Sequence, residues 1–114
     1  METLPEFKVT LTRLKAGEKP YPAASLRFDP LGQRTKLGGE PDWIQNEETP
    51  SCPYCYTAMT FISQIDSVEH QSKSNPHSVN ALSDDRKWMF GDVGMIYVFF
   101  CFECTSTTSV SQCS

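Results

Sequence analysis

Two cysteine pairs are the residues of this sequence whose type and spacing could do chemistry. They occupy Cys52-Pro53-Tyr54-Cys55 and Cys101-Phe102-Glu103-Cys104. A Cys-x-x-Cys turn, here called a knuckle, offers two thiolates to one ion, and two knuckles complete a tetrahedral four-cysteine zinc site. The pattern therefore predicts one structural Zn²⁺ with no position open for water or substrate, held by Cys52, Cys55, Cys101 and Cys104.

The interval between the knuckles, residues 56–100, is longer than the ~15 to 20 residues of a compact zinc ribbon. A strand over Met59–Asp66 that leaves the first knuckle and a strand over Met95–Phe100 that returns to the second can pair antiparallel, which brings both cysteine pairs to one end. The polar loop Ser67–Lys87 then lies on the order of 20 to 25 Å from the metal. His70 and His77, within that loop, are therefore not expected to be ligands.

The first knuckle also permits a redox interpretation. Cys52-Pro53-Tyr54-Cys55 is the active-site tetrapeptide of glutaredoxins, in which a low-pKa cysteine at a helix N-terminus attacks disulfides. Here the motif follows the polar residues 46–51 instead of an apolar strand, no later Thr-Val-Pro segment is present, and the second pair has no role in such an enzyme. Zinc binding is favoured, a thiol oxidoreductase is the alternative, and Cys113 is expected to be an inert tail thiol.

Composition restricts the class of protein. A chain of 114 residues and 12.9 kDa fits one domain, and 39% hydrophobic residues exclude a disordered chain. The longest apolar run, Met95–Phe102, is too short to span a bilayer. The N-terminal residues lack the basic and apolar stretches of a targeting signal, which predicts a cytoplasmic location, and an odd count of five cysteines argues against a disulfide framework.

Charge is distributed unevenly along the chain. Residues 1–36 hold seven Lys/Arg and four Asp/Glu, whereas residues 37–114 hold three and ten. The acidic second portion disfavours nucleic acid, because phosphates call for a basic surface, and it favours a basic protein partner. Asp84, Asp85 and Trp88 are the candidate partner-binding residues, although a solvated turn with Trp88 packed inward would also explain them.

The elements that must position the knuckles follow from hydrophobic periodicity. Alternation predicts a strand over Phe7–Leu11, and a second short strand is expected over Ala24–Phe28. Met59–Asp66 is predicted to be a strand with Met59, Phe61 and Ile65 on one face, although the same apolar spacing would permit a short helix. Met95–Phe100 is apolar on both faces, which predicts a central strand.

The segments between and after these strands complete the expected architecture. Paired glycines at 38–39 permit positive φ, Trp43 can anchor the following turn to the core, and a helical turn is expected near Ala81–Arg86. The tail after the second knuckle is expected to be frayed or an edge strand. The predicted fold is a single α+β, mainly β domain over 1–114, with N-terminal strands in 1–36, the motif region in 37–104, a tail in 105–114, and a small antiparallel sheet carrying a zinc-ribbon-like site.

Several short motifs together resemble a known family. They are Leu37-Gly38-Gly39-x-Pro41-x-Trp43-Ile44-Gln45, Pro50-x-Cys52-Pro53-x-Cys55, Met59-x-Phe61-x-x-Gln64-Ile65-Asp66, Gly91-Asp92-x-Gly94-x-Ile96-Tyr97-Val98-Phe99 and Cys101-x-x-Cys104. This series, roughly residues 35–104, resembles the YwqG-like family and is similar at a greater distance to the programmed-cell-death-two proteins.

The resemblance implies a binding role in place of catalysis. YwqG-like domains are proposed among bacterial immunity proteins, and their programmed-cell-death relatives are thought to chaperone a ribosomal protein. The sequence itself has no nucleophile elbow and no phosphate-binding glycine loop. We therefore expect a non-enzymatic, zinc-stabilised protein-binding domain, an immunity protein that occludes a toxin with a basic surface, with a chaperone or adaptor for a basic ribosomal protein as the alternative.

Overall fold

The computed structural model describes residues 3, 6, 8–20, 34–67, 90 and 94–113. Four strands, β1 (Lys36–Leu37), β2 (Thr60–Asp66), β3 (Met95–Cys101) and β4 (Ser106–Gln112), form one sheet in the order β1-β2-β3-β4. Every neighbouring pair is antiparallel. The small antiparallel sheet is confirmed, and the described part of the chain contains no helix.

The apolar strand β3 lies between β2 and β4, as its sequence predicts. Pairing runs from Thr60 opposite Phe100 to Asp66 opposite Met95. The start of β2 and the end of β3 are therefore neighbours, and both knuckles extend from this end of the strands. We call it the knuckle end.

A β-bulge in β2 changes which side chains face the core. Pairing with β3 shifts between Phe61 and Ser63, so that the strand contains one extra residue. Because side chains alternate between the two faces, the extra residue places Ile65 on the face opposite to Phe61. The expectation that Met59, Phe61 and Ile65 share one face was therefore wrong for Ile65, and Gln64 and Asp66 are buried on the core face instead.

The core lies on one face of the sheet, where Tyr97 and Phe99 of β3 are almost completely buried. The Trp43 ring packs 4.6 Å from that of Tyr97 and 5.9 Å from that of Phe99, between ring centroids. Phe61 meets Phe99 edge to face at 5.7 Å. The predicted anchoring of the 38–43 turn by Trp43 is confirmed, and Gly38 and Gly39 adopt positive φ.

Residues 42–46, here called the crossing segment, traverse this face without strand pairing, and buried polar side chains of the sheet bond its backbone. The Gln64 Oε1 atom accepts from the Asp42 amide at 2.9 Å. The Tyr97 hydroxyl accepts from the Ile44 amide at 3.0 Å and donates to the Asp42 carbonyl at 2.8 Å. The Gln112 Oε1 atom accepts from the Gln45 amide at 3.0 Å, and Gln112 Nε2 donates to the Asn46 carbonyl at 2.7 Å. These bonds supply the partners that buried backbone groups require.

A buried ion pair joins the residues before β1 to the end of β2. Arg34 contacts both carboxylate oxygens of Asp66, at 2.8 and 3.0 Å, and the Asp66 side chain is fully buried. The Asp66 amide also donates to the Thr35 hydroxyl at 2.9 Å. This two-point geometry fixes the orientation of the segment that enters β1.

The remaining expectations concern the N-terminal residues, the tail and segments outside the described residues. Residues 8–11 form no strand, because Val9 and Leu11 are exposed and no strand among the described residues pairs with them. The Phe7–Leu11 strand was therefore wrong for its described part. The tail forms β4, which confirms the edge-strand alternative. Ala24–Phe28, Ala81–Arg86 and residues 68–87 of the expected loop lie outside the described residues. Among the residues described, no helix is long and apolar enough to cross a membrane.

Candidate metal centre

The first knuckle is the tip of a short hairpin. Ser51 and Ala58 form a bridge, the Met59 amide donates to the Pro50 carbonyl at 2.9 Å, and the Cys52 amide donates to the Thr57 carbonyl at 2.8 Å. A tight turn closes the hairpin through the Tyr56 amide and the Cys52 carbonyl at 2.9 Å. These bonds turn the chain so that both cysteines of the pair lie on the same side.

The second knuckle is the turn between β3 and β4. Cys101 is the last residue of β3 and pairs with Ser106, the first residue of β4, so that Cys104 lies within the connecting turn. In each knuckle the residue after the second cysteine has positive φ, 63° at Tyr56 and 52° at Thr105. The two turns thus share a positive φ at the same position, although neither has glycine there.

The fold brings the four predicted ligands together. The sulfur atoms of Cys52, Cys55, Cys101 and Cys104 all lie within 4.8 Å of one another. The Sγ atoms of Cys55 and Cys101 are 3.6 Å apart, and no disulfide joins any cysteine. A tetrahedral ion with bonds of about 2.3 Å would hold neighbouring sulfurs about 3.8 Å apart. The cluster therefore has the dimensions of a four-thiolate metal site.

Hydrogen-bond donors already face two of these sulfur atoms. The Ser106 hydroxyl lies 3.3 Å from Cys52 Sγ, and the Tyr54 amide donates to the same sulfur at 3.4 Å. The Thr57 hydroxyl lies 2.6 Å from Cys55 Sγ. Donors to a thiolate stabilise its negative charge and orient it for a metal.

Sequence reasoning missed both hydroxyl residues, yet a signal for them exists. Thr57 stands two residues after Cys55, and Ser106 stands two residues after Cys104. Each knuckle therefore reads Cys-x-x-Cys-x-Ser/Thr. The fold adds what the spacing alone does not show, since Ser106 contacts a cysteine of the other knuckle, Cys52.

The pKa values of the clustered thiols are shifted in opposite directions. The Ser106 hydroxyl, more than any other group, lowers the pKa of Cys52 to about 6, and the Thr57 hydroxyl lowers the pKa of Cys55. The hydrogen bond to Cys55, followed by burial, raises the pKa of Cys104 to about 12. Neighbouring thiolates repel one another, so it is unfavourable for several of these thiols to be deprotonated together. A bound divalent cation would offset this repulsion.

Of the other candidate residues, the structure describes only Cys113. Cys113 lies at the far end of β4, where its sulfur would be 3.1 Å from a Cβ added to Gly94. Six residue steps of ~3.3 Å separate Gln112 from Ser106 at the knuckle end, so Cys113 is remote from the sulfur cluster. Asp84, Asp85, Trp88, His70 and His77 lie outside the described residues.

Comparison with known proteins adds one relative. Uncharacterized protein YpfL of Salmonella typhimurium is 28% identical to this chain over 80 residues, which are 68% of this chain and 15% of that protein. The match thus spans only about 15% of the length of this relative. No protein-family model and no solved structure matches the chain. The YwqG-like resemblance therefore continues to depend on the motifs that suggested it.

Proposed function

We propose that this chain is a non-enzymatic protein-binding domain whose four-cysteine cluster holds one structural Zn²⁺. The observation that carries the metal assignment is the mutual distance of the four sulfur atoms, within 4.8 Å. Soft thiolate ligands in a tetrahedral set favour zinc over hard cations such as Mg²⁺ or Ca²⁺. The donors at Ser106 and Thr57 prepare two of the sulfurs for this role.

The chemistry expected of such a site is structural. Four protein ligands fill a tetrahedral ion, whereas a catalytic zinc keeps one position for water. The ion would connect the 50–59 hairpin to the β3–β4 turn, which otherwise belong to separate parts of the chain. In a small domain with a modest core, the free energy of metal binding adds directly to folding.

Metal content tests the assignment. We expect one zinc per chain by elemental analysis after purification without added metal, and little or none in Cys101→Ser. Cys113→Ser is the matched control, because it makes the same chemical change far from the cluster and should retain one zinc. A wild-type chain without zinc, or a Cys101→Ser variant that retains it, would contradict the proposal.

A thiol oxidoreductase is the competing proposal for the first knuckle. Burial of Cys52 favours a ligand over an attacking thiol, and no helix begins at this turn within residues 50–59. A reactive cysteine needs access to its disulfide substrate. Rapid alkylation of Cys52 in the zinc-loaded chain would support the redox proposal, whereas slow alkylation until a chelator is added supports the structural site.

For the partner we propose a toxin domain with a basic surface, which the chain would neutralise in the cytoplasm as an immunity protein. The support is the motif resemblance together with the acidic second portion of the chain. Capture on the tagged chain from the native host, followed by mass spectrometry, separates the proposals. A one-to-one toxin domain supports immunity, a basic ribosomal protein supports a chaperone instead, and no stoichiometric partner argues against both.

A further inference from the structure

On the described part of the chain, exposed aromatic rings are concentrated on the knuckles and directly beside them. Tyr54 and Tyr56 of the first knuckle are 73% and 80% exposed, and Phe102 of the second is 68% exposed. The other large hydrophobic side chains exposed on the described part of the chain, Val9, Leu11 and Leu37, are aliphatic and lie elsewhere. A metal knuckle requires only its cysteines and its turn, so three exposed rings at one end call for a separate explanation.

One of these rings, Tyr54, lines a groove at the knuckle end. This groove of about 530 Å³ separates the knuckles and is lined by Pro53, Tyr54, Cys104, Thr105, Ser106 and Thr107. In the second knuckle, Phe102 packs edge to face on Phe100 with ring centroids 4.8 Å apart. That contact limits the motion of the Phe102 ring and leaves most of its surface available to a partner.

The described segments that carry the knuckles, residues 50–59 and 101–107, hold one charged side chain, the acidic Glu103. Residues 37–67 and 94–114 contain no lysine or arginine. Glu103 lies within the second knuckle and Glu47 and Glu48 precede the first, and all three are exposed. Four thiolates and one Zn²⁺ add a net charge of about −2. Aromatic faces next to negative charge attract cations, and arginine above all, because its planar guanidinium stacks on rings.

We propose that the knuckle end is a docking surface for an arginine-rich segment of a partner protein. The guanidinium groups stack on Tyr54, Tyr56 and Phe102, and Glu103 with the thiolate cluster supplies the opposing charge. This inference deepens the proposed function, since it assumes that the ligand is a protein. A nucleic acid could also stack bases on these rings, but its phosphates would meet the acidic side chains.

A direct binding measurement tests this surface. The probe is a short fluorescein-labelled arginine–glycine repeat peptide, titrated with the zinc-loaded full chain and followed by anisotropy at low salt. We expect Tyr54→Ala and Phe102→Ala each to weaken binding about two- to fivefold, the range that one exposed cation–π contact implies. Leu37→Ala, which removes an exposed side chain from the edge strand β1, should leave affinity unchanged.

Two further probes examine the chemistry. A peptide with citrulline in place of arginine keeps the shape and loses the charge, and it should bind much more weakly. Glu103→Gln should weaken binding of the arginine peptide and reduce its salt dependence. Equal affinity of wild type and both aromatic variants, equal affinity for the citrulline peptide, or tighter binding of an oligothymidine strand would overturn the inference.

Zinc content measured on the same samples keeps this inference separate from the proposed function. One zinc per chain without peptide binding contradicts the docking surface and leaves the structural metal site in place. A wild-type chain without zinc contradicts the metal assignment, and the peptide titration still decides the docking surface. The substituted side chains are exposed, so each variant should keep its fold, and thermal melting of each variant checks this.

Discussion

The knuckle end and the crossing segment both place backbone that belongs to no strand against the sheet, but the interactions that involve this backbone differ. At the knuckle end, two turns meet at four sulfur atoms that lie within 4.8 Å of one another. In the crossing segment, Gln64, Tyr97 and Gln112 bond the backbone directly from the core face of the sheet.

The difference between the two regions teaches where the proposed ion would contribute to the stability of this small domain. Hydrogen bonds from buried side chains persist at any metal concentration, whereas clustered thiols repel once they ionise. Removal of the metal should therefore loosen one end of the sheet and leave the other end ordered. The predictions that follow separate the two regions, in order of decreasing expected effect.

Loss of a cysteine ligand should have the largest effect. We expect Cys101→Ser to lower the free energy of unfolding by about 3 kcal/mol or more, because metal binding contributes to folding. Hydrogen exchange should accelerate in residues 50–59 and 101–106 before it accelerates in residues 42–46. Cys113→Ser should change stability by about 0.5 kcal/mol or less. Uniform acceleration across both regions would contradict the comparison.

Acidification should weaken the same region gradually. The pKa of Cys52 is lowered to about 6, so its thiolate is available at neutral pH and takes up a proton as the pH falls. The stability gained from this lowered pKa is complete above the ordinary thiol pKa of about 8.5 and is lost as the pH falls through about 6. In the chelator-treated chain, the alkylation rate of Cys52 should therefore stay high at neutral pH and fall as the pH drops through about 6. A rate that rises only near the ordinary thiol pKa of about 8.5 would argue against the lowered pKa.

Removal of the Tyr97 hydroxyl should affect the crossing segment. Tyr97→Phe leaves the Ile44 amide and the Asp42 carbonyl without their partner, which we expect to cost about 1 to 3 kcal/mol. Chemical denaturation measures this loss, and zinc content should remain at one per chain. Tyr54→Phe makes the same change on an exposed ring and should be nearly neutral. Equal effects of the two variants would show that the crossing segment gains nothing from the hydroxyl.

The smallest effect should come from the strained turn of the second knuckle. Thr105 is a β-branched residue at φ 52°, a conformation that glycine adopts without steric cost. We expect Thr105→Gly to stabilise the chain by about 0.5 kcal/mol, the relief of strain being partly offset by the greater entropy of unfolded glycine. Thr107→Gly, within β4, should destabilise it by about 0.5 to 1 kcal/mol. Melting curves with the same sign for both variants would contradict this interpretation.

Local patterns were sufficient for much of the sheet. The apolar run of β3 indicated a central strand, because only a strand covered on both sides tolerates apolar residues on both faces. The alternation in residues 8–11 misled, since a strand also needs a partner strand and a core to face, and the described structure provides neither there. The tail was open to two interpretations, and pairing with β3 decided for an edge strand.

For the candidate metal centre, the type and spacing of the cysteines by themselves predicted which four residues the fold brings together, because a Cys-x-x-Cys turn offers two sulfurs to one ion. Tertiary structure alone decided that the Ser106 hydroxyl faces Cys52 and that Gln64 is buried. Both depend on the register between strands, and one extra residue in β2 reverses the face of every side chain that follows it. Such a bulge leaves no mark in periodicity, since it depends on how two distant segments pair.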